Sequence, residues 1–464
     1  MLVKKENPKN IFVFFRKKPA RLVFAIFLAV ILLGAVLLYM PFATLPNHRI
    51  SFFDALFMSV SAACAVGFEL VDAGIVFSMQ GKMILLFLIQ VGGIGLITLS
   101  SWVLLSFHRS KSSHGLQNAD KGLHFRSAKE LFITVLLTTI ILELIGAAIL
   151  SFSFIPRFGV ENGLFYSVFY SVSSFCNAGF ALSLPDIDPS GAYYLWNQEP
   201  IIVFTLSFLS IAGGLGFIVW KDIFSLPKKK QLQMHTKVIL FGTLFLLLAG
   251  LFFFFLVEGG MPAKSGFQEM SLGDKWTSSF FLSATARTTG FHSAWISELQ
   301  TASKLFLIFL MFVGGGPGST AGGVKISNFS LLLHAVFSDL FQKNEIVMHK
   351  RRVGKDMVRR ALVLFSVALL MTFTVSFFLV LSEKQALSEG RFTYLDLFFE
   401  AVSAYSSVGL STIETLQLTS LSRTFLIPAM LVGRTMPVIL ALFLSMKTKK
   451  EDKNIYPDVH IQLG

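Results

Sequence analysis

The chain has 464 residues, 54% of them hydrophobic and only 14% charged, with a formal net charge of +13. Soluble domains carry charge on about a quarter of their residues, so this balance excludes a soluble enzyme with a large core. Segments such as 22–38, 83–107, 131–154, 201–220, 238–257, 362–381 and 424–444 are apolar over lengths near the roughly 20 residues that carry a helix across a bilayer.

The basic excess is distributed as topology. Lys and Arg gather at 4–21, 109–129, 221–237, 343–360 and 447–453, whereas the alternating loops are balanced or acidic, as at Asp186, Asp188 and Glu199. Placing every basic cluster inside satisfies the positive-inside rule. The sequence therefore predicts a multi-pass protein of the cell membrane with both termini cytoplasmic. It reads the charge as contact with anionic lipid or a cytosolic partner, not with nucleic acid. Residues 21–40 follow a basic segment without a small-residue cleavage site, so they read as a retained first span.

Taken in chain order, one pattern recurs four times: a long apolar span, a shorter half-apolar segment, a glycine run and a second long span. A cytoplasmic tail at 1–20 precedes the first repeat at 21–107, with elements at 21–40, 52–63, 65–68 and 82–107. A cytoplasmic loop and the second repeat fill 108–224, with elements at 130–154, 163–175, 177–180 and 200–224. The third repeat fills 225–341, with elements at 237–257, 275–286 and 288–291 and a final segment from 302. A further loop and the fourth repeat occupy 342–446, with elements at 361–381, 395–406, 407–410 and 420–446, and a cytoplasmic tail runs from 447 to 464. The short segments cannot span and read as re-entrant helices entering from outside. Two full spans per repeat return the chain to the same side, so the repeats share one orientation. The expected fold is all-α and integral to the membrane: four tandem helix–pore-helix–helix repeats, eight spans, with pseudo-fourfold symmetry around a central ion pore.

The glycine runs are Ala65-Val66-Gly67-Phe68, Asn177-Ala178-Gly179-Phe180, Thr288-Thr289-Gly290-Phe291 and Ser407-Val408-Gly409-Leu410, their glycines 112, 111 and 119 residues apart. Each resembles a degraded copy of the Thr-Val-Gly-Tyr-Gly loop of potassium channels, where backbone carbonyls replace the hydration shell of the ion. Glycine reaches the conformations that turn successive carbonyls inward, and a short helix ending there aims its negative end at a cation. The candidate selectivity filter is therefore Cys64, Ala65, Val66 and Gly67, Asn177, Ala178 and Gly179, Thr288, Thr289 and Gly290, and Ser407, Val408 and Gly409, with the ion held at Gly67, Gly179, Gly290 and Gly409. The rival is that these glycines serve close helix packing. A hydroxyl at the first position survives only as Thr288 and Ser407, and the second glycine of the channel loop is absent from all four runs, which predicts weaker discrimination of K⁺ from Na⁺. Cys64 and Cys176, the only cysteines, read as small buried residues.

Two charged residues beside the runs, Arg287 and Glu400, are expected to pair and brace the filter, since a lone charge there is costly. Repeat three holds an interruption, Gly314, Gly315, Gly316, Pro317, Gly318, Ser319, Thr320, Ala321, Gly322, Gly323, Val324 and Lys325. Six glycines and a proline in ten residues disfavour helix, and non-helical backbone must avoid lipid. A mobile polar loop below the filter reads as a gate. Arg434, mid-span in repeat four, is an electrostatic barrier or a structural partner to backbone carbonyls.

The filter runs, the loop at 314–325 and Arg434 together resemble the Trk/Ktr/HKT superfamily of potassium transporters over residues 20–446, and the eight-span length is most similar to the membrane subunit of bacterial Ktr systems. The resemblance implies potassium uptake, K⁺ as the transported ion with Na⁺ as an activator in some relatives, and no organic cofactor. It also implies a homodimer with one pore per subunit, and a cytosolic RCK-type regulatory ring that binds ATP, ADP or another nucleotide and moves the gate. Glycine at 67, where some sodium-selective plant relatives carry serine, favours potassium. The alternatives are a sodium-conducting or weakly selective relative and, from another class, an ion-coupled solute transporter, against which no span carries paired carboxylates. No nucleophile–base or metal constellation falls in the spans, so no enzyme is expected.

Overall fold

The computed structural model describes residues 19–95, 98, 128–182, 199–260, 267, 270–291, 296–343, 345–348 and 351–446. The expected tails at 1–18 and 447–464, most of the basic loop 108–129, and Asp186 and Asp188 lie outside the described residues.

Helices dominate. Helix α1 (Pro19–Tyr39) is followed by α2 (Phe52–Ala63), a single turn α3 (Ala73–Val76), and α4 (Met79–Gln90), which runs into a π-turn at Val91–Gly95. Then come α5 (Ala128–Phe175), α6 (Pro200–Leu215), α7 (Phe217–Lys229), α8 (Met234–Gly260), α9 (Leu272–Thr285), α10 (Thr301–Phe312) and α11 (Ile326–Leu340). A small hairpin pairs β1 (Val347–Met348) with β2 (Arg351–Arg352) before α12 (Lys355–Ser382), α13 (Lys384–Ser388), α14 (Tyr394–Ser406) and α15 (Ser420–Met446).

Among the described residues four helices are long and apolar enough to cross a membrane, and the bent pair α6–α7 has the length and composition for a fifth if it is one span. Their outward faces carry exposed Phe152, Phe241, Phe245, Phe373 and Phe377. Apolar surface on that scale fits a hydrocarbon surround, not water.

The short helices start and sit alike. Ser51, Ser271 and Thr393 cap α2, α9 and α14, each hydroxyl accepting from the backbone of an aspartate three residues on, Asp54, Asp274 and Asp396. Such a cap stabilises a helix start by about 1 kcal/mol. Farther along these helices, three serines tie short helix to preceding long helix. Ser59 donates to the Ile31 carbonyl at 2.7 Å, Ser171 to Glu143 at 2.6 Å and Ser283 to Leu247 at 2.8 Å. Opposite these hydroxyls lie Gly34, Gly146 and Gly250, where a Cβ would come within 2.6, 2.6 and 2.2 Å of them. Small residue and hydroxyl together permit close helix approach without an orphaned polar group.

The second short segment departs from expectation. Span and short helix are two helices in direct succession within α5, separated only by a kink at the non-helical Gly159 (φ 75°, ψ 173°). The second span of that repeat, expected as one helix over 200–224, is bent by 93° at Gly216, whose φ of 95° favours glycine.

Buried clusters close the arrangement in cyclic order. One joins Val23 and Phe27 of α1 to Leu397 of α14 and Met430 of α15. A second joins Leu38 and Leu85 to Phe169 and Phe175. A third joins Phe154 and Tyr170 to Phe281 and Phe291, and a fourth joins Leu282 and Leu307 to Phe399 and Val402.

Candidate functional site

The four glycine runs meet at the centre of this ring. Ala65, Asn177, Thr288 and Ser407 all have positive φ, at 50°, 56°, 79° and 53°, as do Gly67, Gly179, Gly290 and Gly409, at 89°, 66°, 84° and 85°. The intervening Val66, Ala178, Thr289 and Val408 do not. For a non-glycine residue the left-handed conformation costs about 1–2 kcal/mol, so it recurs four times only because the surroundings impose it. Backbone bonds do part of this: Val66 N–H reaches Ser61 O at 2.9 Å, Ala178 reaches Ser173 at 2.8 Å, and Val408 reaches Ser403 at 3.0 Å. Repeat three closes differently, with Thr289 and Gly290 both donating to Thr285 O.

Each glycine faces the next run. A Cβ on Gly67 would lie 2.5 Å from Ala178 O, on Gly179 2.2 Å from Thr289 O, on Gly290 2.2 Å from Val408 O, and on Gly409 1.8 Å from Val66 O. The series closes on itself, first run to second, third, fourth and back. Asn177 and Thr288 add a side-chain link at 3.1 Å between repeats two and three, and Thr289 meets Ser210 of α6. Cys64 and Cys176 are buried free thiols; the Cys176 thiol donates to Gln90 Oε1 at 3.5 Å.

Three of the short helices also brace the chain just beyond their runs. Met58 Sδ accepts from Leu70 N–H at 3.4 Å, Tyr170 O–H exchanges bonds with the Leu182 backbone at 2.9 Å, and Glu400 Oε1 accepts from Thr412 N–H at 2.9 Å. In each case the partner lies twelve residues on. Glu400 accepts further bonds from Ser411 Oγ and Ile413 N–H. The expected pairing of Arg287 with Glu400 is not formed. Arg287 instead turns to α8, donating to Thr243 O at 3.3 Å and to its hydroxyl at 3.5 Å. The donors Glu400 finds in its own repeat all converge on Oε1, and its buried Oε2 has no hydrogen-bond partner among the described residues.

On one side of the runs a cavity of about 700 Å³ is lined by Gly67, Gly409, Glu69, Asp72, Glu414 and the Lys304–Asp396 ion pair, 3.0 Å. Glu69 accepts from Ala181 N–H at 3.3 Å, linking the exits of the first two runs.

On the other side lies the segment between α10 and α11, which is not helical. Its backbone is satisfied by the broken α6–α7 pair: Gly316 N–H donates to Gly214 O at 2.8 Å, Thr320 N–H to Gly213 O at 3.2 Å, and Phe217 N–H to Gly318 O at 3.0 Å. Within the loop, Gly314 N–H reaches Val324 O at 2.9 Å, Ser319 bonds Gly316 O, and Lys325 Nζ donates to Ala321 O at 2.6 Å. Gly318 and Gly323 have positive φ, and Pro317 O, Gly315 and Gly316 all pack on α6 or Gly216. The loop touches the candidate filter helices too, through Thr320 Oγ1 to Phe175 O at 3.0 Å and through Gly322 against Ser406 O. Thr320 and Ala321 are buried.

Arg434 completes this layer. Its guanidinium donates to Gly92 O of repeat one at 3.0 Å and to Thr320 O of the loop. The reason is in the sequence, though it was not singled out there. Gly92, Gly213 and Gly433 each face the end of their own short helix, at Ala63 O, Phe175 O and Tyr405 O. In the first two the next residue is again glycine, Gly93 and Gly214, whereas in the last it is Arg434. One arginine thus occupies a position where its counterparts leave space.

Among the described residues no group of three or more His, Cys, Asp or Glu is placed to hold a metal. The model of the family described as TrkH, cation transport protein, matches residues 19–454. The chain is 34% identical over 433 residues to the Ktr system potassium uptake protein B of Vibrio alginolyticus, covering 92% of this chain and 91% of the relative. It is 33% identical over 459 residues to the potassium/sodium uptake protein NtpJ of Enterococcus hirae, covering 97% and 98%. The crystal structure of the potassium transporter TrkH from Vibrio parahaemolyticus matches with a TM-score of 0.68 over 96% of this chain and 87% of that one, at 18% identity.

Proposed function

The chain belongs to the TrkH family of cation transport proteins, and from that premise we propose that it takes up potassium through a pore filtered by the four glycine runs. It is a transporter with an all-α membrane fold, not an enzyme. The observation that carries the reading is the cyclic contact of Gly67, Gly179, Gly290 and Gly409. Alternating positive and negative φ turns successive carbonyls to one side, and four such strands around an axis offer an ion the oxygens that its hydration shell would otherwise supply. Four pseudo-equivalent repeats with eight spans provide the frame.

Below the filter, the loop at 314–325 and Arg434 obstruct the path and act as the gate. Arg287 and Glu400 support the filter separately, one through α8 and the other through the backbone at Thr412 and Ile413 after the fourth run. The pore is one of two in a homodimer, opened by a cytosolic RCK-type ring that binds ATP, ADP or another nucleotide, with both chain termini on that side. Anionic lipid meets the basic inner face. Relatives named for potassium uptake and for potassium/sodium uptake support K⁺ as cargo and keep Na⁺, as activator or second cargo, as the alternative.

The test is growth and K⁺ influx at low potassium in bacteria lacking their own uptake systems, with and without a regulatory subunit. Rescue by the wild type, weakened or made sodium-permissive by Gly290→Ser, is the expected result. Sodium influx without potassium influx from well-inserted protein would move the assignment to a sodium conductor.

A further inference from the structure

A second large cavity lies away from the pore. It is a groove of about 980 Å³ between α8, α10 and α11, walled by Phe241, Phe245, Phe309, Phe329, Leu333 and Phe337. Several of these rings are exposed, Phe241 at 70% and Phe245 at 62%. Along its length the groove is apolar, and one end is not. There, His334, Ser338 and Lys343 line it, and so does Val347 of β1. Val347 pairs with Arg352, and both Arg351 and Arg352 are exposed on that hairpin, Arg352 in an ion pair with Glu345 at 3.0 Å. Lys343 Nζ lies 5.8 Å from the Phe341 ring centroid, and among the described residues no carboxylate pairs with it. A hydrocarbon trough ending in net positive charge, where Lys343, Arg351 and Arg352 outnumber the single carboxylate Glu345, at the end of a helix about 22 Å long, matches one kind of molecule.

We propose that this groove binds an anionic phospholipid of the inner leaflet, with an acyl chain against the phenylalanine wall and the phosphate at Lys343 and the hairpin. The orientation rests on the topology argued above, in which residues 343–360 face the cytoplasm. The site is coupled to the loop by its wall. Ile326 lines the groove, follows Lys325 directly, and donates its N–H to Gly315 O at 3.0 Å. Phe329, also in the wall, donates to Lys325 O at 3.1 Å. A bound chain therefore packs on the first turn of α11 and favours the position of the loop that this turn fixes.

The full chain in bilayer nanodiscs of equal phosphatidylglycerol and phosphatidylcholine, followed by native mass spectrometry, reads lipid retention without any reference to ion flux. Each lysine near an anionic lipid phosphate contributes about 1 kcal/mol, so Lys343→Gln is expected to lower phosphatidylglycerol retention about fivefold and leave phosphatidylcholine unchanged. Ala249→Trp, which fills the groove, is expected to lower retention of both. Equal retention of the two lipids by the wild type, or unaltered phosphatidylglycerol retention in Lys343→Gln, overturns the proposal. So does efficient Phe337→Cys cross-linking between chains in the bilayer, because a second copy would then cover the groove. K⁺ flux in vesicles with and without phosphatidylglycerol tests the coupling separately. A lipid-retaining wild type whose flux ignores the lipid would refute the coupling, whereas absent flux in every lipid would refute the pore reading and leave the lipid site standing.

Discussion

Gly409 and Val66 close the circle of glycine runs: a Cβ on Gly409 would lie 1.8 Å from the Val66 carbonyl oxygen. No rotamer relieves that contact, because the obstacle is backbone, and the φ of 85° at Gly409 penalises a side chain independently. Gly409→Ala is therefore expected to reduce K⁺ influx at least about tenfold while protein remains in the membrane. Gly159→Ala supplies the control, since Gly159 has φ 75° but nothing within 4 Å of its added Cβ. That variant carries the conformational cost alone, about 1–3 kcal/mol, and is expected to transport at near wild-type rate. Similar losses in both would mean that backbone conformation, not the ring, sets the requirement.

Arg434 holds Thr320 O and Gly92 O at once. Hydrogen bonds from a charged donor contribute about 1.5–3 kcal/mol each, enough to bias a loop between two positions. Arg434→Gln is expected to raise K⁺ influx without the regulatory subunit by about tenfold. Arg434→Lys retains the charge but not the fork that reaches two carbonyls, so an intermediate increase separates the bonding from the electrostatic barrier. Wild-type flux in Arg434→Gln would argue that the arginine is only structural.

The four runs and the interrupted span were legible in the sequence because glycine and proline act locally: Gly67, Gly179, Gly290 and Gly409 mark conformations that few other residues reach. The bend at Gly216 was not, because the 200–224 segment keeps its apolar character through the break, and the loop that satisfies the freed backbone comes from repeat three. Arg434 was found as an intramembrane charge, but its fit depends on comparison with Gly93 and Gly214. The Arg287–Glu400 pairing failed for a related reason. Sequence reveals that a buried charge needs partners, yet Thr243 on α8 and the backbone of Thr412 and Ile413 are partners that composition does not advertise.

Because Arg287 and Glu400 have separate partners, their substitutions should act independently. Arg287→Gln and Glu400→Gln are each expected to lower thermal stability or influx, and the double variant is expected to show the sum of the single effects within about 0.5 kcal/mol. A double variant no worse than either single one would restore the direct pairing that the geometry lacks.

The twelve-residue bracing of Met58 with Leu70, Tyr170 with Leu182 and Glu400 with Thr412 uses three different acceptors for one task. Tyr170→Phe keeps the ring, which stacks against Phe154 at 5.4 Å between centroids, and removes only the hydroxyl. Both the N–H and the C=O of Leu182 then lose their partner. A buried group left unpaired costs about 1–3 kcal/mol, and the loss falls directly behind the second run. The variant is expected to insert normally, to lose that amount of stability, and to admit more Na⁺ relative to K⁺ as the run loosens. Because the acceptor at the equivalent position in repeat one is a thioether, a weaker partner, Met58→Leu is expected to do less on both counts. If Met58→Leu alters the ion ratio as much as Tyr170→Phe does, side-chain bulk and not hydrogen bonding keeps the runs in register.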